Sequence, residues 1–151
     1  MSELTKSGIW ELRVDLVDFE GNSYTAFYSD FQVQEEPLYR LSLAGFDSEL
    51  STIRDSLTNC ANCANGMAFS TSDNDNDLAE ENCAEHYLGA WWYDQCHDSN
   101  LNGFNYNNGS LPELKPEYYA KGIIWHNAEN VPDQDYYFSW PQVSMQIKRK
   151  L

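Results

Sequence analysis

Asp73, Asp75 and Asp77 occupy every second position of the run Asp73-Asn74-Asp75-Asn76-Asp77-Leu78-Ala79-Glu80-Glu81-Asn82-Cys83-Ala84-Glu85. Carboxylates packed this closely repel one another, and a divalent cation with hard oxygen ligands removes that repulsion. Calcium suits such a segment because it accepts many oxygens in flexible geometry, backbone carbonyls included. The plainer alternative is a solvated acidic loop. An EF-hand is excluded: counted from Asp73, the sixth position is Leu78 where glycine is required and the twelfth is Ala84 where glutamate is required. Counted from Asp75, the same positions hold Glu80 and His86.

Cys60, Cys63, Cys83 and Cys96 are the second group able to do chemistry. An even number permits two disulfides in three connectivities. Cys60-x2-Cys63 followed by Cys83-x2-His86 has equally passable zinc spacing, and spacing alone leaves both readings open. A redox Cys-x-x-Cys fits less well, since no βαβ pattern surrounds it.

The elements that must position these groups fit one domain of 151 residues. Residues 9–19 alternate, with Trp10, Leu12, Val14 and Leu16 on one face and Glu11, Arg13 and Asp15 on the other, a half-buried strand. Glu20-Gly21-Asn22 supplies a turn, and residues 23–33 read as the returning strand. Leu38 to Leu43 reads as a third strand entered from Pro37. Residues 47–57 read as a short helix capped by Asp47 or Ser48, with Leu50, Ile53 and Leu57 on one face. Residues 72–118 are rich in Asn, Asp, Gly and Ser and read as loops, which metal, disulfides or aromatic packing must tie down. Strand pattern returns at Ile123-Ile124-Trp125 and over 136–148.

The balance of 24 acidic against 9 basic residues, net −15, excludes a phosphate-binding stripe and disfavours nucleic acid and anionic membranes. No apolar run approaches a membrane span. Met1 to Gly8 is polar and does not resemble a signal peptide.

Taken in order, Trp10-Glu11-Leu12-Arg13-Val14-Asp15-Leu16, Phe19-Glu20-Gly21-Asn22, Asn65-Gly66-Met67-Ala68-Phe69-Ser70-Thr71, the run from Asp73 to Ala84, Trp91-Trp92-Tyr93, Cys96-His97, Asn100-Leu101-Asn102-Gly103 and Gly122-Ile123-Ile124-Trp125 resemble the fibrinogen C-terminal-like domain. The resemblance runs from about residue 8 to residue 150. It implies an extracellular, secreted α+β domain: a twisted, mostly antiparallel sheet with a loop-rich calcium-binding subdomain. The sheet subdomain is expected over about 8–65 plus a C-terminal strand at 138–150, and the calcium and ligand subdomain over about 66–137. The family's N-terminal subdomain, which would precede the Trp10 strand, is expected to be missing, which accounts for the polar start. Cys60-Ala61-Asn62-Cys63 departs from the family pattern.

The resemblance also implies roles. Cys83 and Cys96 match the family's late disulfide, leaving Cys60 and Cys63 to pair locally. Calcium (Ca2+) would take the carboxylates of Asp75 and Asp77 and the backbone carbonyls of Ala79 and Glu81, with Asp73 outside the ligand set. In acetyl-recognising members a small aromatic pocket adjoins this loop. Residue by residue it falls on Tyr87, His97, Tyr119, Ala120 and Tyr136, with Tyr137 as the substitute for the last because Asn127 to Asp135 reads as an insertion. A cis peptide at Gln95-Cys96 would turn the amides of Cys96 and His97 toward the ligand carbonyl.

Tyrosine rings can enclose a methyl group while their hydroxyls meet polar atoms, so the implied ligands are acetylated glycans such as N-acetylglucosamine on microbial or host surfaces, recognised in innate immunity by an oligomeric full-length protein. Ordinary sheet tyrosines and a satisfied loop histidine are the plainer alternatives. Fibrin-knob binding is disfavoured, since Ala120 and Tyr136 stand where that pocket needs an acidic and a basic residue. The competing class is a protein-ligand domain of the angiopoietin or tenascin kind. An enzyme is not expected, as no nucleophile–base pair is evident. Asn108-Gly109-Ser110 is a glycosylation sequon.

Overall fold

The apolar–polar alternation after Gly8 produces β1 (Trp10–Val17), in which Leu12, Val14 and Leu16 are completely buried. The computed structural model describes residues 2–106, 116–126, 136 and 138–150. Asp18 closes the expected turn by accepting the amides of Glu20 and Asn22 on one carboxylate oxygen, and Gly21 takes the left-handed φ of 86° that glycine adopts without a steric penalty. β2 (Ser23–Val33) returns antiparallel, with Leu12 opposite Tyr28 and Leu16 opposite Tyr24. β3 (Leu41–Phe46) pairs with the outer part of β2. The last strand of the chain, Gln142–Arg149, lies on the other side of β1 and sets Val143, Met145 and Ile147 opposite Leu16, Val14 and Leu12. The sheet is therefore four-stranded and antiparallel, with the two chain ends side by side at its middle and edge.

Three expectations are corrected. The C-terminal strand, expected from 136 or 138, begins at Gln142, directly after Pro141, which has no amide to give the ladder. The third strand begins at Leu41 rather than Leu38, because residues 34–40 form a turn containing the cis Glu36–Pro37 peptide, closed by Gln34 N–H to the Arg40 carbonyl. Residues 47–57 are not a helix. Asp47 accepts the amides of Glu49 and Leu50, but one turn later the hydroxyls of Ser51 and Thr52 are drawn to the sheet, where they accept the Phe27 and Thr25 amides beyond the end of β3. Asp55 then takes the amides of Leu57 and Thr58 together with the buried Tyr28 hydroxyl. Leu50, assigned to the apolar face of that helix, is 60% exposed.

The second layer has few ladders. α1 (Ser2–Thr5) packs on β2, α2 (Cys83–His86) is a single turn, and a 3-10 turn covers Pro116–Tyr118. β4 (Ser99–Asn100) and β5 (Ile124–Trp125) form a minimal antiparallel pair, and the strand Gln142–Arg149 is β6. Trp91, Tyr93, Trp125 and Trp140 fill the space between this layer and the sheet. Each of two indoles fixes a loop as well: Trp92 donates to the Tyr39 carbonyl at 2.8 Å and Trp125 to the Arg54 carbonyl at 2.8 Å. Gly103 passes so close to Gly122 that a Cβ there would lie 1.9 Å from its carbonyl oxygen.

Leu12 makes the sheet core a sharp test. Replacing it with alanine removes a fully buried side chain and is expected to cost about 3 kcal/mol in urea denaturation. Glu11→Ala, next to it on the exposed face with a 3.8 Å ion pair to Lys150, is expected to cost less than about 1 kcal/mol.

Candidate functional site

The acidic run forms a loop wound around its own carboxylates. Asp77 accepts the amides of Ala79 and Cys83, one on each oxygen, at 2.9 Å, so it also caps the turn of α2 beside Asn82, which accepts the Glu85 amide. Asp75 accepts the Asp77 amide at 3.1 Å. Burial, followed by the adjacent Asp75 carboxylate, raises the Asp77 pKa against the lowering effect of the two amides. The stretch of chain between Arg54 and Lys115 carries no lysine or arginine. Asp73 lies apart, exposed and hydrogen-bonded to Thr71 at 2.6 Å.

Two neighbouring carboxylates with free lone pairs, plus carbonyls of Ala79 and Glu81 that join none of the backbone hydrogen bonds of the described loops, are a donor set of the hard-oxygen kind calcium takes. Among the described residues no group of three or more His, Cys, Asp or Glu side chains could hold a metal. A set of two carboxylates and two carbonyls contains no such group.

This loop is tied directly to a second turn. Leu78, between Asp77 and Ala79, donates to the Asp94 carbonyl at 3.0 Å, and the Cys83–Cys96 disulfide joins the start of α2 to the same turn. Asp94 in turn donates to the Cys96 carbonyl at 2.8 Å, across a cis Gln95–Cys96 peptide. Cys60 and Cys63 form the other disulfide. With all four thiols paired, the zinc alternative is overturned, and His86 lies instead beside Glu81 and the Tyr87 ring.

Next to the cis turn is a cavity of about 170 Å³ lined by Asn62, Tyr87, Gln95, Cys96, His97, Tyr119, Ala120 and Tyr136. Every residue expected from the sequence to form the pocket is therefore in one place. Tyr87 meets His97 edge-on at 4.7 Å, and Tyr119 meets Tyr136 at 5.4 Å. Ala120 holds a left-handed φ of 58°, rare for a residue with a Cβ, and its amide donates to the Tyr136 carbonyl at 2.7 Å. His97 is 6% exposed, and neither ring nitrogen makes a hydrogen bond of normal geometry. Burial lowers its pKa to about 4 against the raising effects of Asp98 and the Ala120 backbone. The cavity thus offers tyrosine rings and a neutral imidazole within a lining whose accessible surface is mostly polar, with no fully charged side chain.

Sequence reasoning missed the support of this cavity. Asp98 is 5% exposed. One of its oxygens accepts the Tyr136 hydroxyl at 2.6 Å, and the other accepts the amides of Ala61 and Asn62 at 2.8 and 3.0 Å. Burial alone would raise its pKa, but the Asn62 amide, the Tyr136 hydroxyl and the Ala61 amide outweigh it and hold the carboxyl ionised below its usual range. His126 stacks flat on Tyr136 at 4.2 Å. The one available signal was the position of Asp98 directly after Cys96-His97. Tyr137, the Asn127–Asp135 insertion and the Asn108 sequon lie outside the described residues.

Residues 1–150 match the family described as fibrinogen beta and gamma chains, C-terminal globular domain. The chain belongs to this family. Among curated fibrinogen-related relatives it is 40% identical over 147 residues to Ryncolin-4 of Cerberus rynchops and 38% identical over 146 residues to Techylectin-5A of Tachypleus tridentatus, matching 96% of this chain in both cases. It spans only 37% and 44% of those two proteins. The fibrinogen-like globe domain of human ANGPTL6 superimposes with a TM-score of 0.83 at 31% identity, covering 99% of this chain and 61% of that one. A lamprey fibrin D-dimer complexed with the peptide Gly-His-Arg-Pro-amide superimposes with a TM-score of 0.78 at 28% identity, covering 99% of this chain and 49% of that one. The antiparallel sheet, few helices and loop-rich second layer of this fibrinogen-type domain match those folds.

The buried imidazole gives the domain a defined response to acid. His97 has a folded pKa near 4 against an ordinary value of 6.5, so between these pH values the unfolded chain binds a proton that the folded chain does not. Its contribution is complete above pH 6.5 and falls as the pH drops toward 4, by about 3 kcal/mol in all. Denaturant melts at pH 7, 5.5 and 4.5 should show wild type losing more stability than His97→Gln across this window. Parallel losses would contradict the assignment.

Proposed function

We propose that this chain is a lectin-like recognition domain that binds acetylated carbohydrates through the cavity between Tyr87, His97, Tyr119 and Tyr136, with calcium bound nearby as a structural ion. The observation that carries this reading is the fit of size and chemistry. At about 170 Å³ the cavity is well below the roughly 300–1,000 Å³ of sites that engulf a drug-sized ligand, and it suits one acetamido group with the rest of the sugar outside. Tyrosine rings would enclose the methyl, and the amides of Cys96 and His97 would face the carbonyl. The family relationship to a protein named Techylectin-5A supports the same class.

Calcium would take Asp75 and Asp77 with the Ala79 and Glu81 carbonyls and neutralise a loop whose own stretch of chain carries no lysine or arginine. Its effect would reach the ligand through the Leu78–Asp94 hydrogen bond and the Cys83–Cys96 disulfide, without contact between ion and sugar. Two disulfides suit an oxidising, extracellular setting, where recognition of microbial or host glycans in innate immunity would take place. A single shallow site binds weakly, so useful avidity would come from an oligomeric full-length protein.

Retention on acetylated beads with competition by free N-acetylglucosamine tests the function. Wild type should be retained and released by the sugar. Tyr119→Asp, which removes one of the rings that would enclose the methyl, should lower retention at least tenfold. Retention that the free sugar does not compete, or no retention, would favour a protein-ligand domain instead. Calcium should raise the thermal midpoint, and chelation should lower both the midpoint and bead retention. A midpoint indifferent to calcium would contradict the assignment of the acidic loop.

A further inference from the structure

The Cys60–Cys63 loop contributes Asn62 to the lining of the cavity. It is held at three points. The disulfide closes it covalently. Asp98 receives the Ala61 and Asn62 amides on a single carboxylate oxygen. The Asp98 amide donates back to the Asn62 carbonyl at 3.1 Å. Both backbone polar groups of Asn62 are thereby fixed by one buried residue, itself anchored through its carbonyl to the Ser56 hydroxyl and the His126 amide. Asn62 is half-buried and lines the cavity, and its carboxamide has no hydrogen-bond partner among the described residues.

A carboxamide carries both donors and an acceptor, which is what neighbouring sugar hydroxyls, each a donor and an acceptor, require. The cavity has room for the acetamido group, so the pyranose ring of a bound sugar must lie outside it, within reach of a half-buried lining residue such as Asn62. We infer that Asn62 is a specificity-determining residue that hydrogen-bonds ring hydroxyls of a 2-acetamido sugar, separating acetylated carbohydrates from other acetylated molecules that fill the same cavity. This rests on the acetyl-binding reading above. The tyrosines and His97 recognise the acetamido group in either case, and Asn62 adds the recognition of the ring.

Release of the domain from acetylated beads by two soluble competitors separates these contributions. N-acetylglucosamine carries the acetamido group and the ring, whereas N-methylacetamide carries the acetamido group alone. Asn62→Ala, and Asn62→Leu as a variant of nearly unchanged volume, alter this side chain and leave the backbone anchors to Asp98 in place. Both should need about 2- to 10-fold more N-acetylglucosamine for release, the worth of a neutral hydrogen bond, with the N-methylacetamide requirement unchanged. An equal shift for both competitors would show that the loop only shapes the acetyl cavity, and no shift would show that Asn62 does not touch the ligand. Either result overturns the inference while leaving the acetyl pocket standing. Wild type released by neither competitor would overturn the pocket and the inference together.

Discussion

The buried carboxylate of Asp98 is where the loops that line the cavity converge. A charge this far from water is stable only if it is fully hydrogen-bonded. Here that requirement draws two distant stretches of chain to the start of β4: the Cys60–Cys63 loop through two amides and Tyr136 through its hydroxyl. The cavity exists because these stretches meet, since Asn62, His97 and Tyr136 are otherwise far apart in the chain. An apolar residue at 98 would leave the Tyr136 hydroxyl and two amides needing partners, so the demand acts in both directions.

A second carboxylate plays the parallel part in the acidic loop. Asp77 gathers the Ala79 and Cys83 amides and so sets the first turn of α2, from which Tyr87 projects. The two acidic centres differ in one respect. The amides and hydroxyl around Asp98 are sufficient to hold it ionised, whereas Asp77 has the Asp75 carboxylate beside it and a raised pKa. The first is complete as it stands. The second has the electrostatics of a loop that gains from a cation, and the Leu78–Asp94 bond and the Cys83–Cys96 disulfide carry any tightening of it to the cis turn at Gln95-Cys96.

Much of this was legible in the sequence where the determining interaction is local. Alternation from Trp10 to Leu16 and the Gly21 turn specify the first hairpin, and the ordered motifs from Trp10 to Trp125 point to the family. Spacing could not decide between zinc and disulfides for the four cysteines; the resemblance implied Cys83–Cys96, which the structure contains, and Cys60–Cys63 was inferred only as the pair left over. The helix expected over 47–57 failed because the spacing of Leu50, Ile53 and Leu57 was a local signal overridden by distant partners. The amides of Thr25 and Phe27 needed acceptors past the end of β3, and Ser51 and Thr52 supplied them. The roles of Asn62 and Asp98 were missed for the same reason, since the contact between them spans 36 residues of chain.

A crystal structure of the domain grown with N-acetylglucosamine and calcium tests the central claim most directly. The expected result is the acetamido methyl among Tyr87, Tyr119 and Tyr136, its carbonyl facing the Cys96 and His97 amides, and a cation at Asp75 and Asp77 that does not touch the sugar. A sugar bound elsewhere at saturating concentration, with only solvent in the cavity, would contradict it.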